Sequence, residues 1–230
     1  MYEGISAALN FANNHKETTV TVMAANGDFF CSGNDLSNFA KAATASKEEL
    51  KEMAEHGGVV SMKYIRAFIN HDKPLITLCQ GPAVGVAVTV YVYVYGVGVS
   101  FQFTCVTPFA SLGQCPEAAS TYSFPLLMGQ LKASEVLLMG RKLGAAEAAH
   151  LGLVSMVIPH EKFEHEAWKE VEMMASLPPE SLRLNKILLR NIHREALIKA
   201  NDAETKLIVE RWQSKECANA IANFMTRKQK

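Results

Sequence analysis

Charge is nearly missing from the middle of this sequence. Between Lys73 and Lys132 there is one charged side chain, Glu117, and no histidine, although 20% of all residues are charged. Side chains kept from water are mostly apolar, so this interval is expected to form the interior of a folded domain. A chain of 230 residues is long enough to bury one full domain core. The isolated acid within that interior therefore needs an explanation of its own.

An uncharged interval of this length could also cross a membrane, since about 20 apolar residues span a bilayer. Glycines and prolines interrupt it, however, at Gly81, Pro82, Gly85 and Pro108. The segment VTVYVYVYGVGVSFQF alternates valine with tyrosine, which is typical of buried strands. The pattern favours buried strands over a membrane span, and it predicts strand rather than helix beyond Gly85.

Composition narrows the possible partners. Basic and acidic side chains balance at 23 each, which argues against a nucleic-acid surface or a polybasic membrane patch. The expected partner is a small molecule or another protein chain. The five cysteines are odd in number and widely spaced, with no CxxC pair and no histidine at zinc-ligand spacing. We interpret them as reduced thiols of an intracellular protein, without a metal site.

The order of elements predicts an α/β layered domain. An N-terminal amphipathic helix precedes a strand at 18–25, and Ser46 is expected to cap a second helix that bends or splits at Gly57 and Gly58. A buried strand follows at 75–80. The Pro178–Pro179 pair divides a core, residues 1–177, from a helical region, residues 178–230, that packs on the core or on a neighbouring subunit.

Two glycine-containing loops follow predicted strands. In the first, Gly33 precedes Asn34, and in the second, Gly85 precedes Val86. Each leaves a backbone N–H unshielded, and two such groups brought together bind an oxyanion, although a glycine after a strand is more commonly just a turn. Neither loop fits GxGxxG, and no GK[ST] or GxSxG occurs. Nucleotide hydrolysis, hydride transfer and serine-hydrolase chemistry therefore have no support.

Glu117 has two interpretations, which the residues alone leave open. The structural one places Pro116 at the first position of a helix and Glu117 in its first turn, where the helix dipole favours a carboxylate. The functional one is a carboxylate among apolar residues, whose pKa burial raises toward the range of a general base. The seven histidines lie in charged segments and are expected to be solvated rather than catalytic.

Four stretches together carry a family resemblance: FFCSGNDL, KPLITLCQGPAVG, TPFASLGQCPEAAS and LMGRKLGAAEAAHLGLVSMVI. The chain resembles, almost end to end, the crotonase (enoyl-CoA hydratase/isomerase) superfamily, and within it the peroxisomal-type 3,2-trans-enoyl-CoA isomerases. The resemblance implies an α/β fold, a crotonase-like spiral of strand-strand-helix turns with a C-terminal helical region. It also implies a homotrimer or a dimer of trimers, and an acyl-CoA thioester substrate with no separate cofactor.

The resemblance assigns roles residue by residue. The backbone N–H groups of Asn34 and Val86 match the oxyanion hole that grips the thioester oxygen, and Glu117 matches the isomerase base. The remaining matched positions line the thioester arm: Ser32, Gly33, Asp35, Leu36 and Gly85. The implied reaction moves the double bond of a 3-enoyl-CoA to give 2-trans-enoyl-CoA in the β-oxidation of unsaturated fatty acids.

Departures from the family pattern keep two alternatives open. The hydratases use two glutamates, at positions that here correspond to Thr89 and Phe109, so isomerase is preferred over hydratase. Tyr95 and Phe101 stand where the family has acids, and a strand in place of the usual helix after Gly85 would weaken the oxyanion hole. The second alternative is therefore a catalytically poor member that binds acyl-CoA or only assembles with related subunits.

Two further expectations concern the ends of the chain. Family members usually carry an extra strand before the first helix, and this chain starts too late to contain it. The C-terminal RKQK differs from an SKL-type peroxisomal address, and no mitochondrial presequence is visible. Peroxisome follows only from the resemblance, with mitochondrion as the alternative.

Overall fold

Within the described residues, the main sheet has four parallel strands, at 21–24, 75–79, 96–100 and 156–158, which lie side by side in that order. The computed structural model describes residues 1–37, 45–93 and 96–227. The strands of this sheet are β1 (Thr21–Ala24), β2 (Leu75–Cys79), β4 (Gly96–Ser100) and β7 (Met156–Ile158). Every residue of β2 is buried, as expected for a central strand of a parallel sheet with both faces covered.

A smaller sheet of three strands lies beside the first. It contains β3 (Ala83–Val84), β5 (Thr104–Val106) and β6 (Leu143–Gly144) in that order, with β3 parallel and β6 antiparallel to β5. The chain passes from β2 to β3 and again from β4 to β5, so that successive strands alternate between the two sheets. A helix follows each such pair, which is the strand-strand-helix repeat that the family resemblance implied.

Eight α-helices occur within the described residues. The helices are α1 (Tyr2–Asn14), α2 (Lys47–Ile69), α3 (Val86–Thr89), α4 (Ser120–Leu137), α5 (Ala145–His150), α6 (Phe163–Ala175), α7 (Pro179–Trp212) and α8 (Lys215–Arg227). Ser46 caps α2 as predicted, in a capping box with Glu49. The helix does not split at Gly57 and Gly58, since α2 is continuous from Lys47 to Ile69.

The two glycines of α2 instead permit a close helix crossing. A Cβ atom at Gly58 would lie 2.3 Å from Cγ2 of Val209, and one at Gly57 would lie 2.9 Å from Cζ3 of Trp212. Both neighbours belong to α7. The glycine pair therefore allows the α2 and α7 backbones to approach more closely than larger side chains would permit.

The segment beyond Gly85 corrects the prediction of strand. Val86–Thr89 is a turn of α-helix, and Val90–Tyr93 continues it as a 3-10 turn. Strand begins only at Gly96. Val88, Val90, Tyr91 and Tyr93 are all buried, so these side chains pack into the core from different faces of the short helix. The alternation of valine and tyrosine therefore reflects burial rather than strand. A two-residue periodicity could not reveal that arrangement.

The C-terminal region is helical, and α7 begins at the predicted Pro178–Pro179 boundary, with Pro178 as its N-cap. The last helix, α8, packs on a 3-10 turn at 110–112 through a close approach at Gly113. There a Cβ would lie 2.7 Å from the Cα of Cys217. No helix within the described residues is both long enough and apolar enough to cross a bilayer.

One histidine contradicts the expectation of solvated imidazoles. His71 is buried, with Nε2 3.0 Å from Oγ1 of Thr21 and Nδ1 3.2 Å from the carbonyl oxygen of Leu9. Burial, together with the nearby Lys186 ammonium, lowers the pKa of His71 to about 4. The imidazole is therefore a neutral structural group that ties α1 to β1. All five cysteines are free thiols.

Candidate active site

Backbone hydrogen bonds hold the two glycine loops side by side. Cys31 pairs with Ala83 in an isolated β-bridge, and the N–H of Val84 donates to the carbonyl oxygen of Cys31 over 3.0 Å. The approach is closest at Gly81, where a Cβ would lie 1.8 Å from the carbonyl oxygen of Asp28. The loop after β1 and the segment around β3 thus lie against each other, although about 50 residues separate them in the sequence.

Both candidate oxyanion donors follow a glycine whose backbone other residues rarely adopt. Gly33 has φ +93° and Gly85 has φ +65° with ψ −127°. Within the described residues, no acceptor pairs with the N–H of Asn34 or of Val86. Val86 is buried at the start of α3, whereas Asn34 lies in an exposed loop. Both N–H groups are therefore available to an external acceptor, and their catalytic role stays a prediction.

The predicted thioester-lining segment surrounds the first of these donors. Ser32 and Asp35 are exposed, while Gly33 and Leu36 are partly buried. The Asp35 carboxylate accepts a hydrogen bond from the N–H of Ser37 over 2.9 Å and so stabilises the turn that follows Asn34. The segment is a hydrogen-bonded loop that leaves polar groups accessible beside Gly33.

Glu117 lies in a turn before a helix, which corrects the structural interpretation given above. Helix α4 begins only at Ser120, so Glu117 is outside its first turn. The cause is a pair of left-handed residues, Ala118 with φ 62° and Ala119 with φ 54°, which interrupt the helical path. Burial, and then the Glu204 carboxylate, raise the pKa of Glu117 to about 7. Part of the residue remains accessible.

Two tyrosines that sequence reasoning missed lie near this acid. Tyr2 of α1 and Tyr64 of α2 stack with their ring centroids 4.5 Å apart. Burial raises the pKa of both phenols, and the negative charges of Glu117 and of Cys31 raise them further. The tyrosines therefore lie close to both Glu117 and Cys31. On amphipathic helices such residues have the pattern of ordinary core positions, so the sequence carried no signal for them.

A third missed residue, Glu204 of α7, contacts the Glu117 turn directly. Its carboxylate accepts hydrogen bonds from the N–H of Ala119 over 2.6 Å and from the N–H of Thr121 over 2.9 Å. From the other side, the Tyr93 hydroxyl donates to the carbonyl oxygen of Ala118 over 2.7 Å. Tyr93 ends the turn that begins with α3, so this bond links the Val86 element to the Glu117 turn.

The positions that correspond to the hydratase glutamates have structural roles. Thr89 is fully buried, and its hydroxyl donates to the carbonyl oxygen of Val86 over 3.2 Å. Phe109 is part of the main hydrophobic core. Of the two positions where the family has acids, Tyr95 lies outside the described residues, and Phe101 is exposed in the turn after β4. Neither Thr89 nor Phe109 can exchange a proton with a substrate.

Two other features lie apart from these residues. A groove of about 540 Å³ runs between α1 and α2, and its lining includes none of Asn34, Val86 and Glu117. Across the described ranges, no group of three or more histidine, cysteine, aspartate or glutamate side chains is arranged to hold a metal ion.

Comparison with known proteins identifies the family. The chain matches the enoyl-CoA hydratase/isomerase family over residues 1–230. It is 43% identical over 230 residues to enoyl-CoA delta isomerase 2 of Rattus norvegicus, covering 100% of this chain and 58% of that protein. It is 38% identical over 230 residues to enoyl-CoA delta isomerase 3, peroxisomal, of Mus musculus, covering 100% of this chain and 71% of that protein.

Solved structures support the same fold. An enoyl-CoA hydratase/isomerase from Pseudoalteromonas atlantica T6c superposes with a TM-score of 0.87 at 29% identity, covering 98% of this chain and 86% of that chain. The chain therefore belongs to the enoyl-CoA hydratase/isomerase family and has its crotonase fold, which confirms the resemblance carried by the four motifs. It spans little more than half the length of the rat relative, 58%.

Proposed function

We propose that this chain is an enoyl-CoA isomerase that converts 3-enoyl-CoA to 2-trans-enoyl-CoA. The observation that carries the proposal is Glu117, whose pKa is raised to about 7 and whose neighbours Ala118 and Ala119 pack in one hydrophobic cluster with Val86, a residue whose N–H has no acceptor among the described residues. A carboxyl with a pKa near the working pH can both take and return a proton. Relatives named enoyl-CoA delta isomerase, 43% and 38% identical over all 230 residues, support the same assignment.

The reaction follows from the acidity of the substrate. The C2 protons of a 3-enoyl-CoA lie between the thioester carbonyl and the double bond, so that removing one gives a dienolate with its charge largely on the thioester oxygen. The N–H groups of Asn34 and Val86 stabilise that charge. Glu117 takes the proton from C2 and returns it at C4, which leaves the double bond between C2 and C3. One carboxyl thus performs both transfers, and no water is consumed.

Hydration of 2-enoyl-CoA is the second candidate reaction, and the site disfavours it. Water addition in this family needs two acids, whereas Thr89 and Phe109 occupy the corresponding positions and are buried. The second nearby carboxylate, Glu204, is occupied by hydrogen bonds from Ala119 and Thr121, which leaves Glu117 as the carboxyl that suits proton shuttling.

Purified protein incubated with a 3-enoyl-CoA tests the proposal, with the products separated by chromatography and identified by mass. We expect 2-trans-enoyl-CoA from the unmodified protein and a loss of rate by roughly 10²- to 10⁴-fold in Glu117→Gln. Glu195→Gln removes an exposed acid elsewhere and serves as the control. Acyl-CoA binding without turnover would favour the binding or assembly alternative, and 3-hydroxyacyl-CoA formed from 2-enoyl-CoA at a comparable rate would favour the hydratase.

Assembly and location belong to the same proposal. We propose a homotrimer, or a dimer of such trimers, supported by exposed apolar side chains on α4 and α7 that a partner could cover. The proposed location is the peroxisome, supported by the mouse relative that is named peroxisomal. Coenzyme A enters as part of the substrate, and Ser32 to Leu36 with Gly85 are proposed to line its thioester.

A further inference from the structure

Glu204 is a buried carboxylate that faces the Glu117 turn. Helix α7 buries one face at Leu197, Asn201, Glu204 and Ile208, which recur at helical spacing. Among the described residues no lysine, arginine or histidine forms an ion pair with Glu204. A buried charge without a cation is costly unless hydrogen bonds satisfy it.

Three donors around the start of α4 satisfy this carboxylate. One oxygen accepts from the N–H of Ala119, and the other accepts from both the N–H and the hydroxyl of Thr121. Helix α4 has no capping side chain of its own, because its N-cap residue is Ala119. Glu204 therefore supplies, from a helix 85 residues further along the chain, the cap that α4 lacks.

The cap matters because the turn it holds is strained. Ala118 and Ala119 are both in the left-handed region, where a residue with a Cβ costs about 1–2 kcal/mol. Such strain persists only where surrounding contacts over-determine the backbone. Here Glu204 holds the N–H of Ala119, while the Tyr93 hydroxyl holds the carbonyl oxygen of Ala118. Ala118 and Ala119 follow Glu117 directly in the chain, so their backbone conformation sets where the Glu117 carboxyl points.

The same juxtaposition couples the two acids. After burial, the Glu204 charge is the second cause that raises the pKa of Glu117. The other titratable groups that face the Glu117 carboxyl are Tyr2 from α1, Tyr64 from α2 and the adjacent Cys115 thiol. Tyr93 and Cys115 also face Glu204. The three tyrosines and the Cys115 thiol all have raised pKa values, so they are neutral at pH 7. Glu204 is therefore the neighbour whose charge Glu117 feels most.

We propose that Glu204 is a positioning residue for Glu117: its carboxylate holds the Ala118–Ala119 turn so that the Glu117 carboxyl points toward a thioester held by the N–H groups of Asn34 and Val86. This inference rests on the proposed function of Glu117 as the proton shuttle. Glu204 itself contacts the turn and not the substrate. It acts through backbone geometry and through the electric field at Glu117.

Glu204→Gln is the direct test, because it keeps the shape of the side chain and removes its charge and one acceptor. We expect kcat to fall by about 10- to 100-fold with KM for the 3-enoyl-CoA little changed, since misaligned proton transfer affects the chemical step. The acid limb of the kcat profile should also move to lower pH, because the like charge beside Glu117 is gone. Glu210→Gln, an exposed acid on the same helix, should change neither quantity.

A second variant keeps the proposal falsifiable if Glu204→Gln does not fold. Tyr93→Phe removes only the hydroxyl that holds Ala118 and leaves the charge of Glu204 in place. We expect it to lower kcat with the acid limb unmoved. Thermal unfolding and calorimetric binding of a saturated acyl-CoA report on the fold and the pocket of each variant.

The outcomes separate this inference from the proposed function. If Glu117→Gln abolishes turnover while folded Glu204→Gln keeps the unmodified kcat and acid limb, the positioning role is overturned and the isomerase assignment stands. A kcat that falls only in proportion to lost folded protein, with the acid limb unmoved, also overturns it and leaves Glu204 a structural cap. No turnover in the unmodified protein overturns both proposals.

Discussion

Glu117 lies in an environment that costs stability and that, in the proposed reaction, raises its reactivity. Its carboxyl lies where burial and a second acid both disfavour ionisation, and a purely structural site would have no use for that penalty. An acid whose pKa lies near the working pH is suited to taking a proton and returning it within one turnover. The penalty and the chemistry are thus two aspects of the same environment, and each leads to a measurement.

The first measurement is the pH dependence of the reaction. Only the ionised Glu117 can accept the C2 proton, so kcat/KM should rise with pH through about 7 and then level off. A pH series between about 5 and 9 on 3-enoyl-CoA checks this. An acid limb near the ordinary carboxyl value of 4.5 would contradict it.

The second measurement is the stability of Glu117→Gln. Between pH 4.5 and about 7 the native carboxyl holds a proton that the unfolded chain has released, so the free energy of unfolding falls as pH rises through this window. Glutamine does not titrate, so we expect Glu117→Gln to be more stable than the unmodified protein at pH 8, by roughly 1–3 kcal/mol. The difference should vanish below pH 4.5.

Urea unfolding of both proteins at pH 4 and pH 8 makes this comparison. Glu204, whose pKa is raised to about 6, is coupled to Glu117, so the difference at pH 8 includes the repulsion between the two carboxylates and has the same sign. A variant equally stable to the unmodified protein at both pH values would mean that the Glu117 carboxyl is not held in an unfavourable environment.

Contacts between helices position these side chains, and α7, which carries Glu204, crosses α2 closely at Gly57 and Gly58. Alanine in place of Gly58 gains about 1 kcal/mol of helix propensity but has to displace Cγ2 of Val209, and overpacking of this kind costs about 1–3 kcal/mol. We therefore expect Gly58→Ala to be net destabilising, and Val209→Ala in the same protein to recover part of the loss.

Gly4→Ala is the matched control for that prediction. Gly4 lies in α1 with no atom within 4 Å of an added Cβ, so alanine there should stabilise by up to about 1 kcal/mol. Chemical denaturation of the three variants decides the matter. Stabilisation by Gly58→Ala equal to that by Gly4→Ala would mean that α7 does not lie against α2 at this point.

The start of α3 provides a second test at the level of an element. An added Cβ at Gly85 meets nothing within 4 Å, so Gly85→Ala acts through the backbone alone, at a φ of +65° that alanine disfavours. We expect this to turn the N–H of Val86 and to lower kcat by about 10²-fold, the order lost with one oxyanion donor.

Gly152→Ala controls for the strain itself. Gly152 also has a positive φ, +73°, with nothing within 4 Å, but it follows α5, away from the candidate site. Both variants should lose stability, Gly85→Ala the more because φ +65° with ψ −127° is a conformation for glycine, and only Gly85→Ala should lose activity. Equal kcat values for the two variants, measured on 3-enoyl-CoA, would remove Val86 from the proposed oxyanion hole.

Helices α4 and α7 expose large apolar side chains that the packing within the chain does not cover. Leu188 and Ile192 are 72% and 79% exposed on one face of α7, and Leu131 of α4 is 83% exposed. Single exposed apolar residues are ordinary, but several on one helix mark an association surface. We expect the protein to behave as a trimer or hexamer in light scattering coupled to gel filtration.

Charges on that surface should dissociate the assembly. Leu188→Glu with Ile192→Glu should shift the mass toward the monomer, because each carboxylate would have to be desolvated at the interface. Met173→Glu, on the exposed side of α6, makes the same chemical change elsewhere and should leave the mass unaltered. A monomeric unmodified protein would contradict the proposed assembly.

The uncharged interval from Pro74 onward already determined much of this molecule. Its lack of charge required a buried core, and the Leu75–Cys79 strand within it was predicted. Outside the interval, the Ser46 cap and the Pro178–Pro179 boundary could also be predicted, because both depend on local chemistry. The isolation of Glu117 singled out the candidate acid for the same reason. Charge patterns and caps are properties of neighbours in sequence.

Only the tertiary structure decided how that acid is held. The left-handed pair after Glu117 overrode the helix start that Pro116 favours, and the valine-tyrosine alternation became a buried helical turn rather than a strand. Glu204 and Tyr93 reach the turn from elements far away in the chain. Their contacts exist only once the elements have packed, because a hydrogen bond to a strained turn depends on distance in space and not on spacing in sequence.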